Sequence, residues 1–390
     1  MLSKALVTGV YQKKLEEMAT ASDLELLVVV PPKWVEGRVG TLELDRLFTT
    51  GYELEVQRMA FNGRHHLHFY PDLRKVVERF HPELIHIDEE LYNLVAAQAT
   101  RLARRVGAKT IFFTWQNLYR RYPPPFRLFE LYTYRNADAA IAGNADAVEV
   151  LRRKGFGKPV EIIPQFGVDP DIFSPSTSPP PSDQPITIGY YGRLVPEKGV
   201  DTLIDAIALL PQHPRLVIVG AGESLDALKE RAAQRGLGDR VSFRGTMPSA
   251  QIPSFLHELD IVVVPSLTRP NWKEQFGRVI IEAMSCGVAV VGSDSGEIPN
   301  VIGDAGLTFP EGDVAALTTQ LGRLLADPAL LAHYSSAGRQ RVLDNYTQRQ
   351  VAARTVALYR DVLEAGVPER DCEDVAADAD DAQSEFAHGK

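Results

Sequence analysis

Cysteine is nearly absent from this 390-residue chain: Cys286 and Cys372 are the only two, far apart and without a second Cys or a His at ligand spacing. A disulfide framework and a structural zinc site are therefore both unsupported. No window of about 18 apolar residues occurs, so no membrane-spanning helix is expected. The N-terminus, Met1-Leu2-Ser3-Lys4-Ala5-Leu6-Val7, reads as the approach to a strand without a signal-peptide cleavage pattern, and a cytoplasmic location is expected. A continuous basic face is also missing, and with a net charge of −9 the chain is not expected to bind nucleic acid.

What is present is a globular composition, 45% hydrophobic and 24% charged. The length suits two domains of about 150–200 residues. Charge is unevenly spread, because residues 1–165 carry 23 Lys and Arg against 20 Asp and Glu, which leaves −12 for the remainder. Half of that −12 lies in 367–390, with 8 acids and 2 bases among Ala and Asp, and this segment reads as a disordered tail.

Short apolar runs rich in β-branched residues alternate with helical stretches. They fall at 26–30, 84–87, 110–113 and 139–141, then at 186–191, 216–219, 241–243, 261–264 and 288–291. Such alternation predicts parallel sheets with helices on both faces, an α/β architecture of two Rossmann-like, doubly wound domains. The Pro- and Ser-rich run Ser174-Pro175-Ser176-Thr177-Ser178-Pro179-Pro180-Pro181-Ser182 interrupts the pattern and reads as a linker. The expected division is a first domain at 1–169, a linker at 170–185 and a second domain at 186–345. A helix at 346–366 should cross back to the first domain, ahead of the tail. Ligands of open α/β sheets bind beyond the carboxyl ends of the strands, so the active site is expected in the cleft between the domains.

Two stretches carry chemistry. Glu274-Gln275-Phe276-Gly277-Arg278-Val279-Ile280-Ile281-Glu282 follows the strand at 261–264 and leads into a helix expected over 276–286. The free amides of such a helix start form an anion site, with Glu274 just outside it and Glu282 a little over two turns along. One carboxylate can accept from a ribose and the other from the hydroxyls of a transferred sugar. The second stretch, Gly192-Arg193-Leu194-Val195-Pro196-Glu197-Lys198-Gly199, sets two cations five apart on a turn, where they can stabilise a departing diphosphate. Gly220-Ala221-Gly222 is half of a dinucleotide fingerprint and lacks the acidic residue that would complete it, so its glycines are read as letting backbone approach a base or phosphate. His65, His66 and His68 have ligand-like types at a spacing that fits surface histidines better than a metal face.

On these residues the chain resembles the retaining glycosyltransferases of family 4, which have the GT-B architecture, over most of 1–366. Glu274 and Glu282 carry that family's Glu-x7-Glu pattern, and Gly192, Arg193 and Lys198 its phosphate loop. Gly167-Val168-Asp169 resembles its interdomain turn, and Ser295-Gly296-Glu297-Ile298-Pro299 its Gly-rich turn. The resemblance implies transfer of a hexose-type sugar from a UDP- or GDP-sugar, with no cofactor and no essential metal. Catalytic roles are expected for Glu274, Arg193 and Lys198. Donor contacts are expected from Gly192, Glu282, Phe276, Gly277, Arg278, Gly222 and Met247, and acceptor-side contacts from Gln116, Tyr11 and His86.

Two departures are visible. The first loop reads Gly9-Val10-Tyr11-Gln12 in place of a Gly-Gly pair, and Gln116 stands where many members have histidine. A glutamine hydrogen-bonds but does not exchange protons. No second carboxylate pair that would flank the anomeric carbon is recognisable, which points to same-face substitution with the leaving diphosphate taking the acceptor proton. A catalytically silent nucleotide-sugar-binding protein of the same fold is the alternative. The acceptor is expected to be a glycan, a lipid-linked sugar or a small molecule. Tyr119-Arg120-Arg121-Tyr122-Pro123-Pro124-Pro125-Phe126-Arg127 reads as a cleft-side loop or as a membrane-surface contact of the first domain.

Overall fold

The computed structural model describes residues 1–37, 40–177 and 185–365. In the first half the strands are β1 (Leu27–Val30), β2 (Lys33–Glu36), β3 (Gly40–Glu43), β4 (Glu53–Val56), β5 (Leu84–Ile87), β6 (Lys109–Thr114), β7 (Ala139–Ala142) and β8 (Val160–Ile162). In the second they are β9 (Thr187–Tyr191), β10 (Arg215–Val219), β11 (Val241–Arg244), β12 (Ile261–Val264), β13 (Ala289–Ser293) and β14 (Leu307–Phe309).

β5-β6-β7-β8 and β1-β4 are parallel ladders. Leu2 joins them by bridging Val29 on one side and Ile87 on the other. The expected N-terminal strand is reduced to that bridge, because the Lys4 amide donates to the Glu89 carboxylate and the chain then turns into a short 3-10 helix, Ala5–Val7. The hairpin β2-β3 and the edge strand β4 were not legible as strands, since each has four residues and β2 buries only Trp34.

The second sheet has the order β11-β10-β9-β12-β13-β14, all parallel. This is the 3-2-1-4-5-6 order of a doubly wound fold, whose switch point lies between β9 and β12. The loops that leave these two strands are the ones that carry Arg193 with Lys198 and Glu274. Topology therefore places the two charged motifs side by side.

Each sheet is covered by amphipathic helices. Val200–Leu209 buries Leu203, Ile204 and Ile207 in the core with Ile188, Ile218 and Val263. Each such side chain contributes about 1.5–3 kcal/mol on transfer from water. The final helix, Gln348–Glu364, is capped by the Thr347 side chain and buries Val351, Val356, Tyr359 and Val362 against Leu15, Met18, Ile111 and Phe113 of the first half. Beside its start the Val168 amide donates to the Tyr346 carbonyl and the Gln348 amide to that of Val168, so outgoing and returning segments run together. The linker residues 178–184 and the tail expected at 367–390 lie outside the described residues.

Candidate functional site

The two halves meet over the loop that follows β12. Its Glu274 Oε2 lies 2.5 Å from Lys198 Nζ and accepts from the Ser266 hydroxyl at 2.9 Å. Lys198 is set 4.9 Å from the Trp272 ring centroid, a cation-π contact that fixes its stem. Arg193, on the loop after β9, is half exposed, and among the described residues its ion-pair partner is the distant Glu197, 3.9 Å away. The pair thus presents one constrained and one open cation at the switch point. Gly192, which ends β9, donates its amide to the Val219 carbonyl.

The helix after Glu274 spans Arg278–Ser285, two residues shorter at its start than the expected helix. Gly277 adopts φ 75°, a left-handed conformation that excludes it and Phe276 from the helix, and no side chain caps the first turn. The opening amides are accordingly available to an anion.

Glu282 is buried, accepting from the Tyr191 hydroxyl at 3.0 Å and from Arg278 Nε at 2.7 Å. Burial raises its pKa, opposed by the Arg278 charge and the Tyr191 bond. Arg278 also donates to the Tyr11 hydroxyl at 2.7 Å, and Tyr11 stacks on Phe166 with centroids 4.0 Å apart. Tyr11 and Arg278, expected on opposite sides of the cleft, therefore touch across it.

Several expectations need correction. Phe276 is turned into apolar packing, 6.0 Å from the Trp115 ring and 5.8 Å from that of Tyr346, so its side chain holds the halves together and is not free for a donor. His86 points away from the cleft, because on β5 its side of the strand faces the final helix: it is buried, with Nδ1 2.6 Å from the Tyr359 hydroxyl. A cavity of about 390 Å³ adjoins it at the opposite end of the sheet, lined by Phe80 and Leu363 and by none of the charged residues above. His68, expected at the surface, is wholly buried, with Nε2 3.5 Å from Glu89. Gly222 has a packing reason to be glycine: a Cβ there would stand 2.1 Å from the Leu194 carbonyl oxygen, where the loops after β9 and β10 cross. Met247 packs at the edge of the core that holds Phe255 and Phe276.

Gln116 sits at the carboxyl end of β6, largely buried. Its Oε1 accepts from Lys154 Nζ at 2.9 Å and its Nε2 donates to the Tyr122 hydroxyl at 3.0 Å. Lys154 is itself ion-paired with the fully buried Glu130. The amide is thereby oriented from beneath by a buried charge pair.

Neutral amides from both sides of the cleft, which the sequence reading passed over, tie the first half to the Glu274 loop. Asn117 Nδ2 donates to the Lys273 carbonyl at 3.2 Å, Gln275 Nε2 to that of Trp115 at 2.9 Å, and Asn144 Nδ2 to that of Gln275 at 2.9 Å. The Glu297 amide donates to the Glu274 carbonyl at 3.2 Å, while the Glu297 carboxylate accepts from the Ala145 amide at 3.1 Å. Asn144 caps the helix that follows it, its side chain accepting from the Ala147 amide. Its second role needs the other domain to be in place. Among the described residues no three His, Cys, Asp or Glu side chains are grouped as metal ligands.

This arrangement was compared with known proteins. Residues 9–165 match the family model described as a glycosyl transferase 4-like domain, and residues 176–341 the one described as glycosyl transferases group 1. The chain is similar to the GDP-mannose-dependent alpha-(1-6)-phosphatidylinositol monomannoside mannosyltransferase of Mycolicibacterium smegmatis, with 34% identity over 57% of this chain and 64% of that protein. It is also similar to the lipopolysaccharide core biosynthesis mannosyltransferase LpcC of Rhizobium leguminosarum bv. viciae, with 30% identity over 59% and 66%. The chain thus spans just under two thirds of the length of these curated relatives. The crystal structure of Anabaena HepE in complex with UDP shares the fold, with a TM-score of 0.68 and 20% identity over 92% of this chain and 98% of that one. With both halves matched in order and the two-sheet architecture shared along nearly the whole length, the chain belongs to the group 1 glycosyltransferases of GT-B fold.

Proposed function

We propose that the protein moves a hexose-type sugar from a UDP- or GDP-sugar to a hydroxyl acceptor, with retention and without a resident metal or cofactor. The observation that carries this reading is the Lys198–Glu274 pair, with Arg193 beside it, at the uncapped mouth of Arg278–Ser285. A pyrophosphate placed there meets two cations and open amides, which match its charge as it departs. The sugar's C1–O(phosphate) bond breaks, the bond to the acceptor oxygen forms on the same face, and the acceptor proton passes to the leaving phosphate. Glu274 then stands where it can accept from hydroxyls of the transferred sugar. Glu282 is held by Arg278 and Tyr191, a position suited to a ribose contact through its carboxylate. The relatives named above are mannosyltransferases, one of them GDP-mannose-dependent, and the shared fold includes a UDP complex; both support a nucleotide-sugar donor.

Incubation with UDP-glucose and with GDP-mannose, followed by NMR, is expected to yield the α-configured product first, with turnover unaffected by EDTA. A β-product formed first overturns retention, and no turnover with any nucleotide sugar of a panel overturns the transferase reading. Glycan and lipid-linked acceptors both fit the fold. Arg153 lies 4.7 Å from the Tyr119 ring and Leu128 is 61% exposed, a basic and apolar patch on the first half suited to an anionic membrane surface. Cosedimentation with vesicles containing phosphatidylglycerol, expected to weaken with salt, tests that contact. No described helix is long and apolar enough to cross a membrane.

A further inference from the structure

Beside the Glu274 loop the cleft contains a cavity of about 170 Å³ whose wall on the first half includes Glu90, Tyr92, Gln116, Arg120 and Tyr122. Glu90 stands three residues past the end of β5, partly open to the cleft. The end of β6 cradles it: the Trp115 amide donates to Oε1 at 2.8 Å and the Thr114 hydroxyl to Oε2 at 2.7 Å. Both donors are neutral, and among the described residues no Lys or Arg pairs with this carboxylate. Of the cations on the cavity wall, Lys273 is ion-paired with Asp146 at 2.6 Å, and Arg120 donates to the Asn271 carbonyl at 2.6 Å. Burial raises the Glu90 pKa, opposed by the Thr114 and Trp115 bonds, which makes it a better acceptor and base than an ordinary carboxylate.

The two Glu90 oxygens each have a lone pair left over, and neither is taken up by a cation in an ion pair among the described residues. An anionic group would be repelled here, whereas hydroxyl donors would be bound. Next to Glu90 the rings of Tyr92 and Tyr122 stack with centroids 4.2 Å apart and an interplanar angle of 28°. The Tyr122 hydroxyl is fixed by Gln116, and through it by Lys154 and Glu130. A carboxylate beside a rigid aromatic surface matches a sugar ring, which has polar edges and apolar C–H faces.

We propose that Glu90 with the Tyr92–Tyr122 stack forms the subsite for a neutral sugar or polyol unit of the acceptor, Glu90 accepting hydrogen bonds from its hydroxyls. This rests on the glycosyl-transfer reading above and narrows its acceptor. Gln116 and Lys154 are positioning residues for the stack.

The test uses the full chain with methyl α-D-mannopyranoside and myo-inositol as probes, followed by saturation-transfer NMR in the presence of GDP or UDP. Nucleotide binding is followed separately by thermal shift. At least one probe is expected to bind saturably, and Glu90→Gln to weaken it by about tenfold or more, the scale of a hydrogen bond to a charged group. Nucleotide-induced stabilisation should be unchanged. In Glu90→Gln the carbonyl still accepts from the Trp115 amide and the new amide donates to the Thr114 oxygen, and unchanged nucleotide-induced stabilisation shows that the fold is intact. Glu90→Asp should recover part of the affinity, and in turnover with an acceptor sugar Glu90→Gln should raise acceptor KM more than it lowers kcat. The proposal is overturned if neither probe binds the wild type with either nucleotide, if Glu90→Gln binds like the wild type, or if inorganic phosphate binds the subsite in competition with the sugar. Absence of nucleotide stabilisation would instead overturn the donor reading, and it is read independently of the sugar signal.

Discussion

The loops that leave the two sheets toward the cleft are built on opposite principles. Those after β9 and β12 carry formal charge, with Arg193, Lys198 and Glu274 concentrated in two short motifs. Those after β6 and β7 meet them chiefly with amides and a hydroxyl, Asn117, Gln116, Tyr122 and Asn144, over the buried Lys154–Glu130 pair, while Glu90 after β5 adds a carboxylate to the cavity wall. A pyrophosphate needs matched charge at fixed points. The surface that closes over a varied acceptor needs neutral contacts that lose little when they open. If this division is right, substitutions in the two loop sets fail differently. Lys198→Ala should lower kcat by roughly 10²–10³-fold, as loss of one preorganised transition-state contact does. Asn117→Ala should lower it by about tenfold at most, the scale of one neutral hydrogen bond. Steady-state kinetics with one nucleotide sugar separates them, and equal losses would break the comparison.

The second contrast concerns stability. Lys154 and Glu130 have side-chain exposures of 1% and 0%, so removal of one partner leaves a charge with reduced compensation in a low-dielectric site. Lys154→Met should cost about 3 kcal/mol in urea unfolding, even with Arg127 still near Glu130, and should also release Gln116. A Lys154→Met/Glu130→Leu double variant should regain most of that stability without regaining the Gln116 orientation. Lys198→Ala, at a more exposed pair, should cost far less stability than it costs activity. A stable Lys154→Met single variant would show that the acceptor side is not propped from below.

Much of this architecture was legible before any coordinates. The apolar runs at 84–87, 261–264 and 288–291 fall on β5, β12 and β13 because buried parallel strands leave little choice of residue. Arg193, Lys198 and Glu274 were singled out by their spacing on loops that follow strands and by the family resemblance, and the fold brings Lys198 and Glu274 into contact. Glu90 was in view, in the run Ile87-Asp88-Glu89-Glu90 at a strand's carboxyl end, but three adjacent acids gave no sign of which one faces the cleft. The buried partners decide it: Asp88 accepts from Ser3 and Glu89 pairs with Lys4, which leaves Glu90 to the cavity. The same one-residue ambiguity misplaced His86. Lys154 reads as an ordinary cation at a helix end, and only the packing of that helix against β7 and β8, which brings Lys154 to Gln116, makes it a strut.

The neighbouring carboxylates allow a pH test of the same contrast. Burial would raise the pKa of Glu89, but the Lys4 charge and the His68 contact hold it down to about 2. Burial raises that of Glu282. A depressed carboxylate contributes stability that is complete above its unfolded value of 4.5 and is lost as pH falls from there through about 2. A raised one acts with the opposite sign, since the folded state takes up the proton first and stability grows as pH falls toward 4.5. Glu89→Gln should therefore flatten the loss of stability below pH 4.5, and Glu282→Gln should remove a gain just above it. Urea unfolding between pH 2 and 7 reads both slopes, and matching slopes in the two variants would erase the distinction.

The smallest expected effect isolates the clamp from the fold. Asn144 caps the helix Ala145–Arg153 through its carbonyl oxygen and reaches the Gln275 carbonyl through its amide nitrogen. Serine preserves a cap but is too short to cross between the halves, and alanine does neither. Asn144→Ser should therefore be more stable than Asn144→Ala by about 1 kcal/mol. Both should raise the donor KM by the same factor, roughly two- to tenfold for one neutral bond to the Glu274 loop. Thermal unfolding and initial-rate kinetics on the two variants give the two quantities. A donor KM that follows stability, low in serine and high in alanine, would mean that the residue acts on the cleft only by holding its helix. A donor KM raised equally in both would mean that neutral contacts from the first half help set how tightly the charged half holds its substrate.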